Sequence, residues 1–186
     1  MKTPLLAVAG ILGLSLTAHA GHTNSVLEAE LDGRQEVASD VRNRRIVGDP
    51  NGKGEAYVFG IDGDEFTLCY VLTVEKIELV PVGPVGEGMA AHIHEGAFGE
   101  NGPIVAVLAG PEDGNAADCL TEGETGKFPT GEFGIVDRIL DNPEDFYINV
   151  HNVEYPAGAI RGQLSDQGDD DDSSDDDSSD DDSRDD

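Results

Sequence analysis

Apolar residues along this chain alternate with polar ones instead of recurring every three or four positions, which is the periodicity of strands half-buried on one face. Val26–Leu31 is the first such segment, with Leu27, Ala29 and Leu31 on one side. Segments 54–60 and 66–74 follow, the second with Phe66, Leu68, Tyr70, Leu72 and Val74 sharing a face. Between them Asp62-Gly63-Asp64 carries the Asp-Gly step that favours a tight hairpin turn. Further strands are expected at 89–94, 104–108, 131–136, 146–151 and 159–164. Val80-Pro81-Val82-Gly83-Pro84-Val85-Gly86 reads as a loop, because its prolines cannot donate to a ladder. No segment offers an amphipathic helix longer than about two turns. About eight short strands at regular spacing predict an all-β Greek-key sandwich or barrel.

The two ends do not join this pattern. A basic start, an apolar run from Pro4 to Leu16 and the small-residue step Ala18-His19-Ala20 describe a signal peptide at 1–20. That run is shorter than the roughly 20 apolar residues of a membrane span, so no span is expected and the chain is expected to be secreted or periplasmic. Residues 166–186 hold thirteen Asp and cannot bury enough surface to offset their ordering entropy, which predicts a disordered acidic tail. Residues 21–165 remain as one domain, long enough for a single core. The formal charge of −28 at pH 7 repels phosphate backbones and anionic headgroups, which argues against nucleic acid. Divalent cations, or an extracellular or envelope protein, are the expected partners. Asp49-Pro50-Asn51-Gly52-Lys53-Gly54 lacks the oxygen ligands of a calcium loop and reads as a hairpin turn. Arg42, Arg44 and Arg45 read as a solvated basic face.

Cys69 and Cys119 are the only cysteines. In an exported chain such a pair is most simply one disulfide, worth roughly 4 kcal/mol on the chain-entropy model. Two buried thiols are the alternative.

Three groups of motifs resemble one family. They are Leu31-Asp32-Gly33-Arg34-Gln35-Glu36-Val37; Ala91-His92-Ile93-His94-Glu95-Gly96 with Gly99-Glu100-Asn101-Gly102-Pro103-Ile104-Val105; and Tyr147-Ile148-Asn149-Val150-His151 followed by Gly158-Ala159-Ile160-Arg161-Gly162-Gln163-Leu164. In this order, over about residues 26–164, they resemble the CHRD (chordin) domain family. The resemblance implies an extracellular β-sandwich module, found also in bacterial exported proteins mostly without an assigned activity. Ala38 departs from the proline that the family often has there, and the acidic tail lies outside the likeness. His92-Ile93-His94-Glu95 also resembles the copper-binding strand of Cu/Zn superoxide dismutases, with His151 matching a late-strand copper ligand. The two likenesses imply an immunoglobulin-like or superoxide dismutase-like sandwich. The bridging histidine of the dismutases has no counterpart, since no histidine lies between His94 and His151.

Strand alternation puts His92 and His94 on the face opposite Ala91 and Ile93, and puts Tyr147, Asn149 and His151 opposite Phe146, Ile148 and Val150. If these strands are neighbours, three imidazoles converge into a metal site with open positions, suited to copper, with zinc as the alternative. The plainer alternative is rim histidines bonded to backbone. Glu95 is a candidate acceptor for a ring N–H, and Arg161 a candidate holder of an anion near the metal, the alternative being a structural Arg bound to backbone carbonyls. No nucleophile pattern surrounds Ser25, Ser39 or Ser165. The chain therefore reads as an exported CHRD-type binding module with one copper ion on three histidines, rather than as an enzyme. A copper-only superoxide dismutase-like redox enzyme is the first competing class, and a metal-free structural or adhesive module the second.

Overall fold

A computed structural model describes residues 26–38, 47–78 and 90–167. The expected signal peptide, the Arg42–Arg45 cluster, the proline loop at 80–86 and the acidic tail from 168 onward lie outside the described residues.

Among the described residues nine strands form one antiparallel sheet: β1 (Val26–Asp32), β2 (Lys53–Ile61), β3 (Asp64–Glu75), β4 (Ala90–Glu95), β5 (Ile104–Leu108), β6 (Asn115–Thr121), β7 (Phe146–His151), β8 (Ile160–Gln163) and the two-residue β9 (Ser165–Asp166). The strand order is β5-β4-β7-β8-β1-β2-β3-β6, with β9 beside β1. Three crossovers, pairing β4 with β7, β8 with β1 and β3 with β6, give the Greek-key wiring. The sheet curls until it nearly closes into a barrel, and the Tyr70 hydroxyl on β3 accepts the Ala109 N–H just beyond β5 at 2.7 Å, tying one edge region to the other. The expected all-β fold is thus found, in its barrel form.

The concave side is apolar. Leu27, Leu31, Val58, Leu68, Leu72, Ile93, Ile148, Val150 and Ile160 are fully or almost fully buried there. Each contributes roughly 1.5–3 kcal/mol of transfer free energy. These are the inward members of the alternation in the sequence, and the Asp62-Gly63 turn joins β2 to β3 with Gly63 at φ 81°. Phe66, expected on the same inward face as Leu68, is instead exposed at the end of β3, edge-on to Phe133.

Two segments differ from the sequence pattern. The expected strand at 131–136 is a bend leading into the helix α1 (Ile135–Asp141). Gly134 takes the left-handed φ of 83° that ends an extended path. The buried Glu122 carboxylate then accepts the N–H groups of Gly134 and Val136, both at 2.8 Å, and caps the first turn from twelve residues away. Ile135, Val136, Ile139 and Leu140 pack inward, so β-branched residues that favour strands are used on a helix face. Strand β6, conversely, was not foreshadowed. Among the described residues it is an edge strand, paired with β3 alone and mostly exposed, so it has no alternation to read. Cys119 stands directly opposite Cys69 in that ladder and the two form the expected disulfide.

The Asp49–Gly54 segment is also not a hairpin turn. It ends the long β1–β2 connection in an Asx turn, with the Asp49 carboxylate accepting the N–H groups of Asn51 and Gly52.

Candidate functional site

The outer face of β4, β7 and β8 carries two polar rows. Antiparallel register sets His92 opposite Asn149 and Asn149 opposite Arg161; it sets His94 opposite Tyr147 and Tyr147 opposite Gln163. His151 follows Asn149 on the same face of β7. Directly opposed residues of an antiparallel pair share a face, so these side chains all stand on the side away from the core. Loops cover them: Asn149 is 5% exposed and Arg161 2% exposed.

One ring nitrogen from each of His92, His94 and His151 lies within 4.8 Å of the others. The neighbouring β4 and β7 thus bring together the three histidines named from the sequence. The His94 Nδ1–H donates to the Gly102 carbonyl at 2.9 Å, and the His151 Nδ1–H to the Pro156 carbonyl at 3.2 Å. A carbonyl only accepts, so these bonds fix the proton on Nδ1 and leave the Nε2 lone pairs free. His94 Nε2, His151 Nε2 and His92 Nδ1 are buried without partners. Burial lowers all three imidazole pKa values from the usual range, taking His92 to about 4 with added repulsion from His151 and His94. The rings are therefore neutral near pH 7, the state that ligates metal. Imidazole nitrogens lie about 2.0–2.1 Å from a bound zinc, so two at the tetrahedral angle stand about 3.4 Å apart. Closing by at most about 1.4 Å brings the trio to that spacing.

Beneath them, Tyr147 stacks on His94 with ring centroids 4.8 Å apart and planes 9° from parallel. The Arg161 guanidinium lies over the Tyr147 ring, 3.4 Å from its centroid. Arg161 donates to the Asn101 side-chain oxygen at 3.4 Å and the Ala97 carbonyl at 3.3 Å. It therefore takes the structural role rather than that of an anion holder at the metal: it holds the loop that carries Gly102, and hence His94. Glu95 is not the acceptor for a ring N–H, because backbone carbonyls fill that role and its carboxylate pairs with Arg138 at 3.3 Å.

Two residues of the site were not singled out in the sequence. Asn149 sits between the histidines, and its amide donates to the Glu36 carboxylate at 3.4 Å. Glu36 reaches in from the segment after β1, passing between Gly48 and Gly158, where a Cβ would collide with its side chain. Burial pushes the Glu36 carboxyl up to about 7, against the pull of Arg161 and the Asn149 hydrogen bond. Glu36, His94, Asn101, Tyr147, Asn149 and His151 line a cavity of about 320 Å³. Alternation sets Asn149 on the same face as His151, and Glu36 lies in the Leu31–Val37 motif, but nothing local to either residue marks it as part of a site.

The CHRD domain model matches residues 27–164, nearly all of the described sheet. No curated protein and no solved structure matches this sequence. CHRD domains are protein-interaction modules, and with the disulfide they point to an extracellular protein. No helix among the described residues is long and apolar enough to cross a membrane. From motifs, sheet and family model together, the chain belongs to the CHRD domain family.

Proposed function

We propose that this chain is an exported CHRD binding module that holds one copper ion through His92, His94 and His151. The observation that carries the proposal is three imidazoles with one ring nitrogen each within 4.8 Å of the others, and with one buried, unpartnered ring nitrogen on each, two of the rings having tautomers set by backbone carbonyls. Three imidazoles with an open position suit Cu(II), which also stands above zinc in intrinsic affinity; zinc is the alternative. Export rests on the signal-like start at 1–20 and on the disulfide. The folded domain then presents the site outside the cell, while the Asp-rich end adds diffuse affinity for divalent cations or keeps the domain soluble.

Titration of the metal-free protein with Cu(II) and with Zn(II) against a competing chelator tests this. The domain binds one equivalent tightly, and His92→Ala, His94→Ala and His151→Ala each weaken it by about 100-fold or more, beyond the 10–100-fold typical of lost outer-shell partners. Equal affinity in all four proteins overturns the proposal. Truncating the tail separates weak, diffuse binding from the histidine site.

A further inference from the structure

Among the described residues, six buried side-chain atoms lack a hydrogen-bond partner, and five of them cluster here: His92 Nδ1, His94 Nε2, His151 Nε2, Glu36 Oε1 and Asn149 Oδ1. Above its raised pKa of about 7 the Glu36 carboxyl is ionised; with His94 and His151 fixed as Nδ1–H tautomers, and with His92 Nδ1 free to ligate, this cluster then presents lone pairs and no donors. Such a set is complementary to one kind of occupant. A bare ion satisfies the three nitrogens and leaves both oxygens without partners. An ion carrying a water molecule satisfies all five, because the water, its own lone pair on the metal, still has two hydrogens to donate.

The placement supports the pairing. Asn149 lies directly across the ladder from His92 and shares a strand face with His151. Glu36 lines the same cavity as His94 and His151, yet it falls outside the group whose donor atoms lie within 4.8 Å of one another. It therefore is not one of the three ligand candidates, and it meets the cluster through the Asn149 amide, which donates to it at 3.4 Å. The clearance left by Gly48 and Gly158 shows that the fold makes room to bring this carboxyl in.

We propose that the open coordination position is built for a small, neutral O–H donor, water or hydrogen peroxide, which Glu36 and Asn149 hold by accepting its hydrogens. The inference rests on the metal site proposed above and makes Glu36 a specificity-determining residue within it. An aprotic anion at that position turns its lone pairs and its charge against two acceptors, so azide and superoxide are disfavoured. This argues against dismutase chemistry on grounds independent of the missing bridging histidine.

Azide is the probe, used on the copper-loaded, disulfide-bonded protein at about pH 8.5, above the Glu36 pKa of about 7. Its charge-transfer band reports binding at the open position. The unmutated protein takes azide weakly, and Glu36→Gln, which replaces a carboxylate by an amide bearing N–H donors, tightens it by about ten-fold or more, the equivalent of one interaction of ordinary size. Exchangeable protons coupled to Cu(II) more strongly than the remote ring N–H protons of the ligating imidazoles, seen by electron–nuclear double resonance in H₂O and lost in D₂O, identify the bound water without any variant. Azide affinity that is unchanged in Glu36→Gln, loss of copper binding in that variant, or absence of coupled exchangeable protons overturns the inference while leaving the histidine site standing. Failure of the unmutated protein to bind copper or zinc overturns the metal site and this inference with it.

Discussion

On β1, β2 and β3 the face turned from the core carries Glu30, Glu55, Val71 and Thr73 and is open to solvent. On β4, β7 and β8 the same face of the same sheet carries His92, His94, Tyr147, Asn149, His151 and Arg161, and loops bury it. The two regions share strand geometry and the same apolar inner wall. They differ in what lies above them. Solvent satisfies any polar group on the open face, so its side chains need only be soluble. On the covered face each polar atom must find a protein partner or a ligand, and the atoms that find none mark the site. Cover by the loop at 96–102 and by the Glu36 segment, more than the chemistry of the strands, converts a polar face into a binding site.

The largest test of this contrast acts on the open half. Cys69–Cys119 clips the edge strand β6 to β3, far in the sheet order from β4 and β7. Replacing both cysteines by Ala lowers stability in chemical denaturation by roughly 4 kcal/mol on the chain-entropy model. The folded fraction should keep its full metal stoichiometry; a parallel loss of metal affinity breaks the separation of the two halves.

A smaller effect belongs to the covered half. The buried Glu36 carboxyl, raised from 4.5 to about 7, keeps its proton in the folded state over a range where the unfolded chain has lost it. Its contribution is fully present below about pH 4.5 and is lost as pH rises through about 7, when a charge must be buried. Glu36→Gln carries no such charge. In the metal-free protein the stability of Glu36→Gln relative to the parent therefore rises between pH 5 and 8, by roughly 1–3 kcal/mol, the size of one to two pKa steps. Parallel unfolding curves at the two pH values check it, and a constant difference shows that Glu36 is solvated like the carboxylates of the open face.

The smallest effect sharpens the contrast. Glu30 and Glu55 oppose one another directly across β1 and β2. Glu55→Gln removes a like-charge pair in solvent and shifts stability upward by no more than about 0.5 kcal/mol. Denaturant midpoints of the two proteins measure it.

The inward residues of β1, β3, β4 and β7 were legible because each strand repeats the same local choice, apolar in and polar out, and the disulfide because the chain's two cysteines have one simple partner each. The three histidines were legible as a group for the same reason: alternation put each on the polar side of its strand. What failed were elements whose cause is remote. The helix at 135–141 depends on a carboxylate from residue 122, and β6 on having one neighbour only.

The sequence by itself determined the strand period, the inward set, the acidic charge and the polar side of His92, His94 and His151, since all of these follow from neighbours along the chain. Only the tertiary structure decided that β4 lies beside β7, that Glu36 and Asn149 join the histidines, and that Arg161 serves the loop instead of a ligand. Pairing register and loop cover are set by contacts between residues far apart along the chain, 113 positions for Glu36 and Asn149, which no local pattern encodes.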